Sequence, residues 1–143
     1  MRIRPVEIAV AVLLLAAPAS AAEVQISDAW IRALPAPSPS GGYFTLRNMG
    51  KSEITLTGAK SAACGMLMLH LSKETGGMSS MEDVQSVPVP AGGEIRFAPG
   101  GYHLMCMDPT PAIKPGGSVA ITLQFSDKTE ATASFAVKNA QGK

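Results

Sequence analysis

Much of the vocabulary of catalysis is missing from this 143-residue chain. There is no G-x-S-x-G, no H-E-x-x-H and no Cys–His pair in a recognisable nucleophile setting, so no enzyme motif is present. Asp28 and Asp108 read as turn or cap residues rather than catalysts. An excess of charge is missing too. Beyond residue 21 the chain keeps ten basic and ten acidic side chains, which gives no electrostatic case for nucleic acid or an anionic membrane. No internal repeat is found, and no stretch carries a convincing 3.6-residue amphipathic period. Cysteine is scarce: Cys64 and Cys106 are the two in the sequence. Neither lies near the N-terminus, where a lipid would be attached, so no membrane anchor is expected in the mature chain.

The start of the chain reads as an export signal. Arg2 and Arg4 make it basic, Ile8 to Ala17 form an apolar run of ten, and Ala19-Ser20-Ala21 fits an A-x-A cleavage site. Ten residues are too few to cross a bilayer. Residues 1–21 are therefore expected to be a signal peptide, and residues 22–143 one exported, neutral, monomeric domain. An oxidising compartment permits a Cys64–Cys106 disulfide, but sequence alone does not supply the Cα separation that a bridge requires.

The remainder is a string of short β-type runs set between Gly and Pro. Strands are expected near Val24–Arg32, Gly42–Asn48, Glu53–Ala59, Met66–Leu71, Val84–Val89, Glu94–Ala98, Tyr102–Met107, Ser118–Phe125 and Glu130–Val137. In "SVAITLQF", Val119, Ile121, Leu123 and Phe125 share one face, the mark of a half-buried strand. "PAGG", "PGG" and "KPGG" supply turns, each joining a fixed φ to a residue free to take φ > 0. Eight or nine strands at this spacing imply an all-β antiparallel sandwich or barrel. The Pro-rich "ALPAPSPSGG" reads as a surface loop.

The chemistry is concentrated. Both His, both Cys and six of the eight Met lie between Cys64 and Met107, about a third of the chain. On a strand, His103, Met105 and Met107 point one way while Leu104 and Cys106 point the other. The same rule groups Met66, Met68 and His70 against Leu67, Leu69 and Leu71. If these two strands are neighbours, His70 faces His103. Between them, "SKETGGMSSMED" reads as a flexible loop that carries Met78 and Met81. Met66 and Met68 are taken as core gap-fillers. Two imidazoles and two or more thioethers make a soft, low-charge site. That donor set suits Cu(I), or Ag(I) where present, better than Mg, Ca or Mn, and zinc is a poorer match.

These residues resemble the motif of the periplasmic copper chaperones called PCu(A)C, H-x10-M-x21-H-x-M. His70, Met81 and His103-Leu104-Met105 fit its spacing without adjustment. "DAWIRALPAPSPSGGYFTLRNMG" and "VPVPAGGEIRFAPGGYHLMCM" are similar to the family's N-terminal signature and to its hairpin before the second ligand pair. The resemblance spans essentially the whole mature chain. Met78 and Met107 lie beside these residues and are candidate auxiliary ligands; the resemblance implies a cupredoxin-like Greek-key sandwich holding Cu(I) on His70, Met81, His103 and Met105. It also implies a periplasmic carrier that serves the copper-bearing subunit of cytochrome c oxidase, with Sco-like thioredoxin-fold proteins as companions. Leu71 stands where the family often has Met, and the two cysteines fall outside its pattern.

Three other functions compete. A blue-copper electron carrier needs His2Cys with an axial Met; His70, His103, Cys106 and Met107 supply those types, though Cys106 follows the histidine that it should precede. Copper storage or resistance needs binding without delivery, and Cu(II) is a further candidate ion. A metal-free module would use the methionines as an adaptable contact surface.

Overall fold

The computed structural model describes residues 21–143, so all but the last residue of the expected signal peptide lies outside the described residues. Ten strands follow one another: β1 (Val24–Arg32), β2 (Ser40–Asn48), β3 (Ile54–Lys60), β4 (Cys64–Thr75), β5 (Met78–Asp83), β6 (Val87–Val89), β7 (Glu94–Phe97), β8 (Tyr102–Pro109), β9 (Ser118–Phe125) and β10 (Glu130–Lys138). Among the described residues there is no helix, and so none long and apolar enough to cross a membrane. The all-β, cupredoxin-like expectation holds, with two differences in detail.

The first difference is closure. The path β4-β8-β2-β1-β10-β9-β3 returns to β4 through the pair Ala59–Leu67, which joins seven strands into a ring. One ladder of that ring is parallel. β1 runs beside β10, with Trp30, Ile31 and Arg32 opposite Ala136, Val137 and Lys138. No hairpin connects the first and last strands, so their direction is free of the constraint that makes sequence neighbours antiparallel. β5, β6 and β7 lie outside the ring, on β4, β3 and β2.

The second difference is the expected loop between Leu71 and Val84. It is a hairpin: β4 runs on to Thr75 and pairs with β5, with Thr75 opposite Met78. Gly76 and Gly77 both have positive φ, at 60° and 79°. Two such residues form the kind of two-residue turn whose twist matches its flanking strands.

Alternation builds the interior. Val119, Ile121, Leu123 and Phe125 of β9 are buried, and so are Phe135 and Val137 of β10. Phe44 stacks on Phe97 at 4.4 Å and meets Phe135 edge-on at 5.8 Å. Each fully buried side chain of this kind contributes about 1.5–3 kcal/mol. Asn48, wholly buried, donates to the carbonyls of Ser52 and Val89 and accepts from the Gly50 amide, so its burial leaves no polar atom stranded.

β4 and β8 form the ladder that matters for function. Leu69, Leu104 and Cys106 point inward and are buried. Cys64 and Cys106 are joined by a disulfide with Cα atoms 5.4 Å apart, linking these same two strands. Among the described residues no cysteine is free.

Candidate metal centre

The register of β4 against β8 sets His70 directly opposite His103, Met68 opposite Met105 and Met66 opposite Met107. Cross-strand partners share a face, so all six side chains stand on the outer side of the ring. The imidazole rings meet edge to face with centroids 5.5 Å apart. The expectation that the two histidines converge is met by a direct pair.

His103 is 4% exposed although it lies on the outer face. His70 covers it on one side. Tyr43 of β2 covers it on the other, 6.5 Å between ring centroids, and Trp30 of β1 packs on Tyr43 at 4.7 Å. A β-bulge between Ser27 and Trp30, with Asp28 at φ 52°, brings Trp30 opposite Tyr43. Arg32 lies over both of these rings, and Lys138 over Trp30. The result is one row across four strands, His70, His103, Tyr43, Trp30, that shields the inner histidine from water.

Burial shapes the chemistry of His103. Nδ1 lies 3.3 Å from the Gly101 carbonyl, which fixes the tautomer with Nδ1–H donating and leaves the Nε2 lone pair uncommitted. Desolvation lowers the pKa of this ring below the ordinary imidazole value; the Gly101 bond opposes that shift, and the nearby His70 charge adds to it. Nε2 is buried with no hydrogen-bond partner. On His70, Nε2 approaches Asp83 Oδ1 to 2.8 Å. That contact has ion-pair distance but not hydrogen-bond alignment, so both His70 nitrogens also lack an aligned partner. Five buried side-chain polar atoms are unpartnered among the described residues, and three of them are nitrogens of this imidazole pair. Buried donors and acceptors are normally satisfied; a neutral imidazole keeps one lone pair, and on His103 that lone pair, at Nε2, is left open as a metal ligand requires.

The hairpin brings further groups. Asp83 pairs with His70, and Met81 pairs with Ser72, so both share the outer face with the histidines. Met81 is 62% exposed. Met78 sits at the hairpin tip opposite Thr75, three positions from Met81 and hence on the other face. The hairpin therefore does not bring Met78 to the imidazoles. Met66 differs from its expected place in the core: it is 58% exposed, and Met68 is half-buried beside it. The inner face of β4 is already filled by its leucines. Asp83 was not apparent from sequence, because its contact with His70 depends on a hairpin register that no hydrophobic pattern announces.

Among the described residues no three His, Cys, Asp or Glu side chains are arranged to hold a metal ion. A zinc-type ligand set is thus lacking, and an ion held here must draw on thioethers. The blue-copper alternative fails on Cys106, which faces inward and is spent in the disulfide.

The family model described as "Putative lipoprotein LpqE-like" matches residues 24–137. The chain belongs to the LpqE-like family. A curated relative, "Putative lipoprotein Lxx21020" of Leifsonia xyli subsp. xyli, is 31% identical over 120 residues, covering 83% of this chain and 72% of the relative. Among solved structures, the copper-bound PCuAC domain from PmoF2 superposes with a TM-score of 0.69 at 23% identity, over 84% of this chain and 96% of that one. The solution structure of CuI-DR1885 from Deinococcus radiodurans superposes with a TM-score of 0.64 at 28% identity, over 87% and 81%.

Proposed function

We propose that this protein is a periplasmic Cu(I) carrier whose ion is held by His70, Met81, His103 and Met105. The observation that carries the reading is the His70–His103 pair, with buried, unpartnered ring nitrogens on a sheet face that also carries thioethers. The Cu(I)-bound state of DR1885, 28% identical and of the same fold, supports it. Two neutral imidazoles and two thioethers add no charge to a monovalent ion and match its softness. Ag(I) fits the same donors, and Cu(II) suits them less well.

A carrier must also release its cargo. β5 is an edge strand with all six residues exposed, so its thioether is the ligand most readily replaced. Transfer proceeds by ligand exchange: Met81 leaves first, a donor from the partner takes its position, and the imidazoles follow. The expected recipient is the copper-bearing subunit of cytochrome c oxidase, with Sco-like thioredoxin-fold proteins as companions, and the carrier acts as a monomer. Protons compete for the ring nitrogens. Because the His103 pKa is lowered, that ring stays available below the ordinary imidazole value of about 6.5, and affinity falls as pH drops through the lowered value.

The test is X-ray absorption on mature protein carrying one equivalent of Cu(I). Two nitrogen and two sulfur neighbours are expected, with His70→Ala/His103→Ala losing that signature. Retention of the nitrogen shell in the double variant would refute the assignment. For delivery, mixing the loaded carrier with the copper-free soluble domain of the oxidase subunit should move the ion. An ion that stays put favours storage.

A further inference from the structure

The outer face of β4 and β8 carries more soft donors than one ion uses. Next to the His70–His103 row stand two successive rows of methionine, Met68–Met105 and then Met66–Met107. Directly opposed residues have Cβ atoms about 4.5–5.5 Å apart. Thioether side chains with three rotatable bonds adapt readily across such gaps. Packing does not account for them: the inward positions of the same strands are occupied by Leu67, Leu69, Leu104 and Cys106. Met66 stands 58% exposed, and Met68 and Met107 are half-buried. Each therefore forgoes part of the stabilisation that burial of such a side chain contributes.

We infer that Met66, Met68 and Met107 form a second site for a monovalent soft ion, Cu(I) or Ag(I), beside the first. Three neutral thioethers on adjacent strands supply an all-sulfur environment of the softness that these ions select. Met105 of the first site stands opposite Met68 of the second, so the methionine rows lead from the solvent-exposed end at Met66 to the shielded imidazoles. None of the three residues belongs to the proposed His/Met ligand set, so the two assignments stand or fall separately.

The experiment titrates the mature, disulfide-intact protein with Cu(I) kept in solution as its acetonitrile complex, without thiol reductant. Bound metal is counted by native mass spectrometry and its neighbours by X-ray absorption. Wild type should take two equivalents. Met66→Leu/Met107→Leu, which conserves apolar volume, should take one, with mixed nitrogen and sulfur neighbours. His70→Ala/His103→Ala should also take one, with sulfur neighbours alone. The His variant losing no ion while the Leu variant loses one would sink the imidazole assignment and leave this one standing. One equivalent in wild type, or two in Met66→Leu/Met107→Leu and in the single variant Met68→Leu, overturns the second site. The methionine rows would then be an apolar contact surface.

Discussion

The two faces of the β4–β8 ladder are made by the same residues in alternation and follow different rules. Inward, Leu69, Leu104 and Cys106 are closed off from water and are held by packing and a disulfide. Outward, His70, His103 and the methionines present donors, and three buried ring nitrogens go unpartnered. The inner face contributes stability. The outer face gives some up at His103 Nε2, because an unsatisfied buried polar atom costs about 1–3 kcal/mol. Side by side, they divide one ladder between two tasks, the inner residues holding the strands together and the outer residues carrying the donors.

The largest break in that comparison should come from the staple. The Cys64–Cys106 bridge spans a sequence separation of 42 residues, and chain-entropy reasoning assigns a loop of that size about 4 kcal/mol. Cys64→Ala/Cys106→Ala should therefore lower the unfolding free energy by about that much in a urea melt. A loss below about 1 kcal/mol would mean that the ladder secures itself.

Next comes the apolar layer alone. Leu104 is wholly buried directly between His103 and Met105 in sequence, so Leu104→Ala should cost about 3 kcal/mol through lost contacts and a residual cavity. Near the denaturation midpoint its effect should be evident, while the first Cu(I) equivalent still binds well below it. Loss of metal binding in a protein that remains folded would show that the two faces are not separable.

How much of this could be read from sequence follows from which contacts leave a pattern. β9 matched its expected bounds, Ser118–Phe125, because one side is buried and the other wet. The β4–β5 hairpin left no such trace: both of its faces meet solvent from Lys73 onward, so hydrophobic alternation vanishes and only Gly76–Gly77 mark the turn. Parity united His70 with Met66 and Met68 correctly, yet parity does not say which face is the inner one, and both methionines went to the wrong side. The parallel β1–β10 pair joins the two ends of the domain and has no local signal at all. The His70–His103 row was legible because each strand carries its own alternation; Asp83 was not, because its position opposite His70 is set by the hairpin register.

Asp83 offers the third test, on the outer face only. Its carboxylate lies 2.8 Å from His70 Nε2, where it biases the orientation of the ring, as carboxylates behind metal-binding histidines do. Replacement of such partners commonly lowers metal affinity about 10–100-fold. Asp83 is largely exposed, so Asp83→Asn should fall at the low end, about tenfold, in competition with a chromophoric Cu(I) chelator. Stability should hardly move, since exposed ion pairs contribute about 0–1 kcal/mol. Unchanged affinity would make the contact incidental.

The smallest expected effect is also the sharpest on topology. Met78 and Met81 lie on one six-residue strand, both exposed and chemically identical, yet their separation of three places them on opposite faces. Only Met81 shares the side of His70. Met81→Leu should weaken Cu(I) binding and slow transfer, while Met78→Leu should change affinity less than twofold and stability within about 0.5 kcal/mol. Equal losses in both variants would mean that the hairpin does not keep its register when metal binds, and that β5 behaves as the mobile loop its composition suggests. A difference between them ties the ion to one face of a formed strand, with backbone pairing to β4 deciding which of two identical side chains can reach it.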